Sequence, residues 1–152
     1  MLCIENLTTL HEFARAQGIA QRNTEHATRD LYSVFRSTIF AVICINGNPF
    51  PAIRHILRLV PETTPVHLWS DMDYGGFNIL SQLRKQVSPR IQPYRMDIPT
   101  FESHAHLARP LTQTDERNLK RLCLRPELQD VRPVIEHLLK RGVKLEQEAI
   151  RL

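Results

Sequence analysis

No stretch of the 152-residue sequence approaches the roughly 20 apolar residues a helix needs to cross a bilayer. The N-terminus also lacks the basic-then-apolar order of a secretory signal, so a soluble, cytoplasmic protein with no membrane partner is expected. Cysteine is scarce: Cys3, Cys44 and Cys123 are odd in number, far apart and set among mostly apolar neighbours. That excludes a disulfide framework and a zinc spacing, and predicts buried free thiols. Internal repeats and low-complexity tracts are missing as well, which excludes a repeat architecture and a disordered tail.

What remains suits one compact domain, because a 42% hydrophobic content is enough for a real core at this length. Twenty Lys and Arg against 16 Asp and Glu give a formal charge of +4, a mild bias that permits a polyanionic partner without requiring one. The opening "MLCIEN" reads as a strand already under way, so the single domain, residues 1–152, is expected to be the C-terminal fragment of a longer protein.

Four short apolar runs alternate with segments of helical character, the pattern of an α/β fold with a mainly parallel sheet. The runs are Leu2 to Ile4, Ile39 to Ile45, Val66 to Trp69 and Arg90 to Tyr94, the last confined to an edge by Pro93. Helical spacing is carried by Leu10, Phe13 and Ala14; by Leu31, Val34 and Phe35; by Ile53, Ile56, Leu57 and Val60; and by Phe77, Leu80 and Leu83. Gly18 is expected to end the first helix, so the seven-residue recurrence of Arg15, Arg22, Arg29 and Arg36 is read as coincidence. This core spans about residues 1–100. A helical extension over about 111–152 follows, with a cap at Thr112 or Thr114, Pro133 in a first turn and Gly142 after a last one.

The stretch "LWSDMDYGGFNIL" places Asp71 and Asp73 two residues apart at the carboxyl end of a strand, hence on one side of an extended chain. Gly75 and Gly76 are read as allowing a sharp turn into the next helix without a Cβ clash. Glu5 holds the equivalent corner after the first run. In open parallel sheets ligands bind outside the carboxyl ends of the strands, so the three acids are expected to converge there. Carboxylates that close repel one another unless their pKa values rise or a cation binds, and a hard divalent ion, Mg²⁺ or Mn²⁺, is the natural partner. Asp73 alone reads as a helix cap ahead of a ligand, and Glu5 alone as a surface residue. Haloacid-dehalogenase-like phosphatases use a similar pair of acids, but Gly75 stands where they carry Thr or Val, and their motif opens the domain.

The order of these features resembles a Toprim domain, the metal-binding fold of topoisomerases, bacterial primases and several nucleases: Glu5 after the first strand, Gly47 after the second, Asp71 and Asp73 after the third. More closely, "IEN", "NGNPFPAIRHIL", "HLWSDMDYGGFNIL" and "LEQEAI" resemble the C-terminal domain of the nuclease subunit of Wadjet-type anti-plasmid systems, which is related to the A subunit of topoisomerase VI and to the meiotic double-strand-break protein. The resemblance implies a DNA endonuclease in which Glu5, Asp71 and Asp73 are catalytic and hold Mg²⁺ or Mn²⁺. It also implies double-stranded plasmid DNA as substrate, a condensin-like SMC ATPase complex as partner and a homodimer in the full-length protein. The alternative it leaves is a non-catalytic Toprim module for assembly or DNA clamping.

The segment from about Gly18 to Thr38 is long for a minimal Toprim fold, and no winged-helix segment supplies a nucleophilic tyrosine. Tyr32, Tyr74 and Tyr94 read as packing or surface residues, which favours hydrolysis over strand passage. Glu146 and Glu148 are candidate ligands for a second ion; on a helix they would diverge by about 200°, leaving one to face the site. His104 and His106 have a spacing that grips a transition metal if extended, against a plain loop pair. Arg84, Lys85, Arg90, Arg95, Lys120, Arg121, Arg125, Arg132, Lys140, Arg141 and Lys144 lean to the second half, where they read as a phosphate-tracking patch or as solvated helix faces.

Overall fold

The computed structural model describes residues 1–16 and 41–150. The expected helix with Leu31, Val34 and Phe35, the break at Gly18, Tyr32, and the arginines at 22, 29 and 36 lie outside those residues.

Four parallel strands form the sheet, β1 (Leu2–Ile4), β2 (Val42–Cys44), β3 (His67–Trp69) and β4 (Gln92–Pro93), in the order β2-β1-β3-β4. The fold is therefore the expected α/β, Rossmann-like arrangement. Buried on both faces, β1 is uniformly apolar, as an inner parallel strand must be. Pro93 pairs with Leu68 on the outer strand β4, where its missing N–H breaks no inner ladder.

Helices follow the strands: α1 (Leu7–Ala16), α2 (Pro51–Arg58) and α3 (Tyr74–Gln86). Pro51 opens α2, whose last N–H bonds are made by Leu59 and Val60 just before Pro61. Its buried stripe is narrower than the spacing predicts. Ile53 and Leu57 are buried, whereas Ile56 is 44% and Leu59 69% exposed. In α3 the expected face holds, with Phe77, Leu80 and Leu83 all fully buried.

The segment after β4 forms α4 (Ile98–His104), capped by Asp97, which accepts from the Thr100 N–H at 2.7 Å. Here the loop reading of the histidine pair is corrected. His104 ends α4 and His106 sits in a 3-10 turn (Ala105–Leu107), so the two are not extended, and His104 Nδ1 lies 2.9 Å from the Thr100 carbonyl. Pro99 occupies a first turn, where it tolerates a helix instead of breaking one.

The extension contains α5 (Gln113–Leu122) and α6 (Arg132–Arg141). Thr112 and Asp115 make a reciprocal capping box on α5, and Gly142 ends α6 at φ +67°. A two-stranded antiparallel ribbon, β5 (Arg109–Pro110) with β6 (Val143–Lys144), had no counterpart in the sequence reading. Cys3 is buried, with its thiol pushed up to about 12 by desolvation, but Cys44 and Cys123 are only half-buried. Among the described residues no helix is long and apolar enough to cross a membrane.

Arg84 fastens the extension to α3. Only 6% exposed, it forks onto Asp130 at 2.6 and 2.8 Å and donates to the carbonyls of Ile91 and Glu127. This removes it from any phosphate-tracking patch. Arg84→Ala strands two carbonyls that the guanidinium satisfied and leaves the half-exposed Asp130 to water, so urea denaturation is expected to show a loss of roughly 2 kcal/mol. A loss below about 1 kcal/mol, the range of exposed ion pairs, would contradict this role.

Candidate metal centre

Parallel pairing of β1 with β3 sets Ile4 opposite Trp69, so the residues that follow each strand emerge side by side at the sheet's carboxyl edge. Glu5 N–H donates to the Trp69 carbonyl at 3.0 Å, and Asp71 N–H reaches Glu5 Oε2 at 3.3 Å. On the other flank, Gly47 N–H donates to the Glu5 carbonyl at 3.3 Å. Asn46 and Gly47 turn the chain away from β2 at φ +48° and +84°, a conformation that glycine adopts freely and asparagine tolerates.

Asp73 caps α3, accepting from the Gly76 N–H at 2.9 Å. The two glycines serve this corner differently from the sequence reading. Neither has a positive φ, so no sharp turn requires them. Instead, a Cβ at Gly76 would lie 2.0 Å from the Asp71 carbonyl and 2.7 Å from Ser70 Oγ, whereas one at Gly75 would meet only Asp73 Oδ1 at 3.2 Å. Gly76 is there because helix and strand end approach to within a missing side chain of each other.

The end of the chain returns to this corner. Met72, between the two aspartates, exchanges backbone hydrogen bonds with Leu145 at 2.8 and 3.2 Å. Gln147, fully buried, then spans the strand ends: its N–H donates to Asp71 Oδ1 at 2.7 Å, its Nε2 to the Trp69 carbonyl at 2.8 Å, and its Oε1 accepts from Asn6 N–H at 3.1 Å. "LEQE" is thus a bridge followed by a 3-10 turn (Gln147–Ala149), not an α-helix. Asn6 Nδ2 donates to Glu148, while Glu146 pairs with Arg109. Of the two glutamates, Glu148 faces Glu5 and Asp71 electrostatically, and Glu146 acts on Asp71 alone.

Burial, and then the charges of Asp71, Asp73 and Glu148, push Glu5 up to about 7 against the pull of the Asp71 N–H. Burial likewise raises Asp71 to about 6, with Asp73, Glu148 and Glu146 adding to the rise and the Gln147 N–H opposing it. The corner is an accumulation of negative charge that the fold tolerates by holding protons. Carboxylates alone offer an all-oxygen donor set, which suits Mg²⁺ or Mn²⁺ over softer ions.

Each acid is meanwhile turned to a donor of the chain itself. Glu5 takes the Asp71 N–H, Asp71 the Gln147 N–H, Asp73 the Gly76 N–H and Glu148 the Asn6 amide. Among the described residues, accordingly, no three His, Cys, Asp or Glu side chains close around one point as placed. The donor chemistry fits a divalent ion; enclosing one takes rotation of carboxylates.

Sequence reasoning missed Asn6, Gln147 and Arg109. Asn6 and Gln147 stand inside the "IEN" and "LEQEAI" segments without being singled out, and nothing local marks Arg109; their partners lie far away along the chain.

Two outcomes follow from this geometry. Gly76→Ala is expected to destabilise the protein by at least about 2 kcal/mol in urea denaturation, as overpacking against backbone does, while Gly75→Ala stays within about 1 kcal/mol. Equal effects would place the close approach elsewhere. Because the folded Glu5 and Asp71 hold protons that the unfolded chain releases near 4.5 and 3.8, their contribution to stability falls as pH rises through about 4 to 7 and is flat above that. In EDTA, the melting temperature of Glu5→Gln relative to wild type should therefore climb between pH 4.5 and 7.5; a constant difference would mean that Glu5 titrates normally.

A family model described as "Wadjet protein JetD, C-terminal" matches residues 28–152. The chain is 21% identical over 155 residues to the Wadjet protein JetD of Bacillus cereus (strain Q1), an alignment covering 99% of this chain and 33% of that protein. It is 32% identical over 130 residues to the meiotic recombination protein SPO11-1 of Arabidopsis thaliana, covering 71% of this chain and 36% of the relative. The chain thus spans about a third of the length of these curated relatives. The family match takes in the Asp71 to Asp73 corner together with the segment that brings Glu146 and Glu148 back to it, and on that match the chain belongs to the Wadjet JetD C-terminal family.

Proposed function

We propose that the chain is a Toprim-type, Mg²⁺- or Mn²⁺-dependent endonuclease domain that hydrolyses phosphodiester bonds of double-stranded plasmid DNA. The observation that carries this reading is the level placement of Glu5 and Asp71 at adjacent strand ends, with Asp73 and Glu148 beside them and the charges raising one another's proton affinity. Structural acids are normally compensated by cations; these are crowded with further acids.

In this reading Glu5, Asp71 and Asp73 hold one ion, and Glu148, with Glu146 at the rim, contributes toward a second. If bound there, an ion would supply Lewis-acid chemistry to the scissile phosphate, a water and the leaving 3′ oxygen. Glu5 is also the candidate to accept the proton of the attacking water. Asp71 fixes the approach of the closing segment through Gln147, and Asp73 joins the site to the amino end of α3, whose dipole favours negative charge. The match to a Wadjet protein supports plasmid defence as the setting, and the match to a meiotic recombination protein supports action on DNA. A condensin-like SMC ATPase complex, homodimerisation of the full-length protein and cytoplasmic action belong to the same proposal.

A second reading, a Toprim module for assembly or clamping, is favoured by the structural duties of Asp71 and Asp73, each already bonded to a backbone N–H. Nothing observed favours a phosphatase, since Gly75 falls inside α3.

The two readings separate on the Asp71→Asn, Asp73→Asn double variant. Asparagine caps helices as well as aspartate, so the fold is expected to persist with a melting temperature within a few degrees of wild type. Calorimetric titration with Mn²⁺ should show saturable binding to the wild type and at least about tenfold weaker binding to the variant, with nicking of supercoiled plasmid lost in parallel. Equal Mn²⁺ affinities would overturn the metal-dependent reading in favour of the assembly module.

A further inference from the structure

The ribbon of β5 and β6 carries a cation to the mouth of the acidic corner. Arg109 stands opposite Lys144, and from Lys144 the chain runs directly into Leu145, which bridges Met72 between the two aspartates, and then into Glu146. The Arg109 guanidinium donates to Glu146 at 2.5 Å, and both side chains are accessible, at 65% and 38% exposure. Glu146 in turn is one of the charges felt by Asp71. The positive group therefore sits one carboxylate away from the centre of the cluster.

Several basic residues of this half of the molecule are engaged elsewhere. Lys144 is paired with Asp115, Arg84 with Asp130, and Arg125 with Asn78 and Ser81. Arg109 is held by the acid cluster itself. An exposed pair of this kind is worth at most about 1 kcal/mol, so a better anion displaces it readily. A phosphate is such an anion, since its oxygens match the guanidinium fork. A cluster of carboxylates repels a DNA backbone, and a phosphate can approach it only where a cation offsets that field.

Resting on the nuclease reading above, we propose that Arg109 exchanges Glu146 for a DNA backbone phosphate at the mouth of the acidic corner. The exchange leaves Glu146 available to face a cation in the cluster. Arg109 is thus a DNA-binding residue whose resting partner belongs to the metal-binding set, which links occupancy by DNA to the charge of the centre.

The test uses the whole chain and two separate readouts. Mn²⁺ alone is titrated by calorimetry into wild type, Arg109→Gln and Arg109→Lys, and a short labelled duplex is bound at several salt concentrations in Ca²⁺ and followed by anisotropy. Arg109→Gln is expected to bind Mn²⁺ at least as tightly as wild type, because a neighbouring positive charge is gone. Its duplex affinity should fall about tenfold and the slope of log affinity against log salt should shrink by about one, with Arg109→Lys restoring the slope. A merely structural pair would leave that slope unmoved. Wild type that binds Mn²⁺, with Arg109→Gln showing the wild-type duplex slope, overturns the exchange alone, as does wild type that binds Mn²⁺ but no duplex. Wild type with no saturable Mn²⁺ binding overturns the nuclease reading, and with it this inference.

Discussion

Gln147 spans the carboxyl ends of β1 and β3, taking the Asn6 N–H on one side and giving hydrogen bonds to the Trp69 carbonyl and, through its own backbone, to Asp71. The rest of the corner depends on that amide. Parallel strands end in diverging loops, so the acids at their tips have nothing of their own to hold them level. A buried, satisfied amide across the two ends supplies the missing constraint, and because it is fully buried, losing any one of its bonds would strand a polar group away from water. The carboxylates can then be held near one another although their charges oppose it.

This architecture also settles where the mild positive charge goes. Arg84, Lys85, Arg125 and Lys144 are consumed by contacts inside the molecule, with Asp130, Glu127, Ser81 and Asp115 respectively. These four members of the apparent basic patch fasten the helical extension to α3 and the ribbon to α5. Net charge is a poor guide to a nucleic-acid surface until internal pairs have been subtracted, and here Arg109, which pairs with Glu146 beside the acids, is a cation that composition gave no reason to single out.

The sheet was legible because its strands are short β-branched or apolar runs whose identity is local: Leu2 to Ile4 and the run ending in Trp69 need no partner to be recognised. The acid pair was legible for the same reason, since Asp71 and Asp73 announce themselves by spacing. Gly76 was noticed but for the wrong cause, as a sequence carries conformational preference more plainly than interatomic clearance. The α4 helix was missed because its seven residues are too few to show a helical period and its first turn carries Pro99. Gln147 and Arg109 were beyond reach: glutamine on a polar terminal segment and arginine beside proline have no local signature. Their meaning comes from partners 141 residues back and 37 residues on.

Asn6 and Glu148 meet across a separation of 142 residues, so the corner is assembled from segments far apart in the sequence. A ribosome that has placed Glu5 in the exit tunnel needs on the order of 10 s to add the segment that brings Glu148 and Gln147. Through that interval the strands can form, but the amide that levels the acids does not yet exist. Any product of interrupted synthesis or of clipping ahead of Leu145 would carry Glu5, Asp71 and Asp73 without their latch. Synthesis through Gln147 is thereby built into the corner as a condition for its assembly.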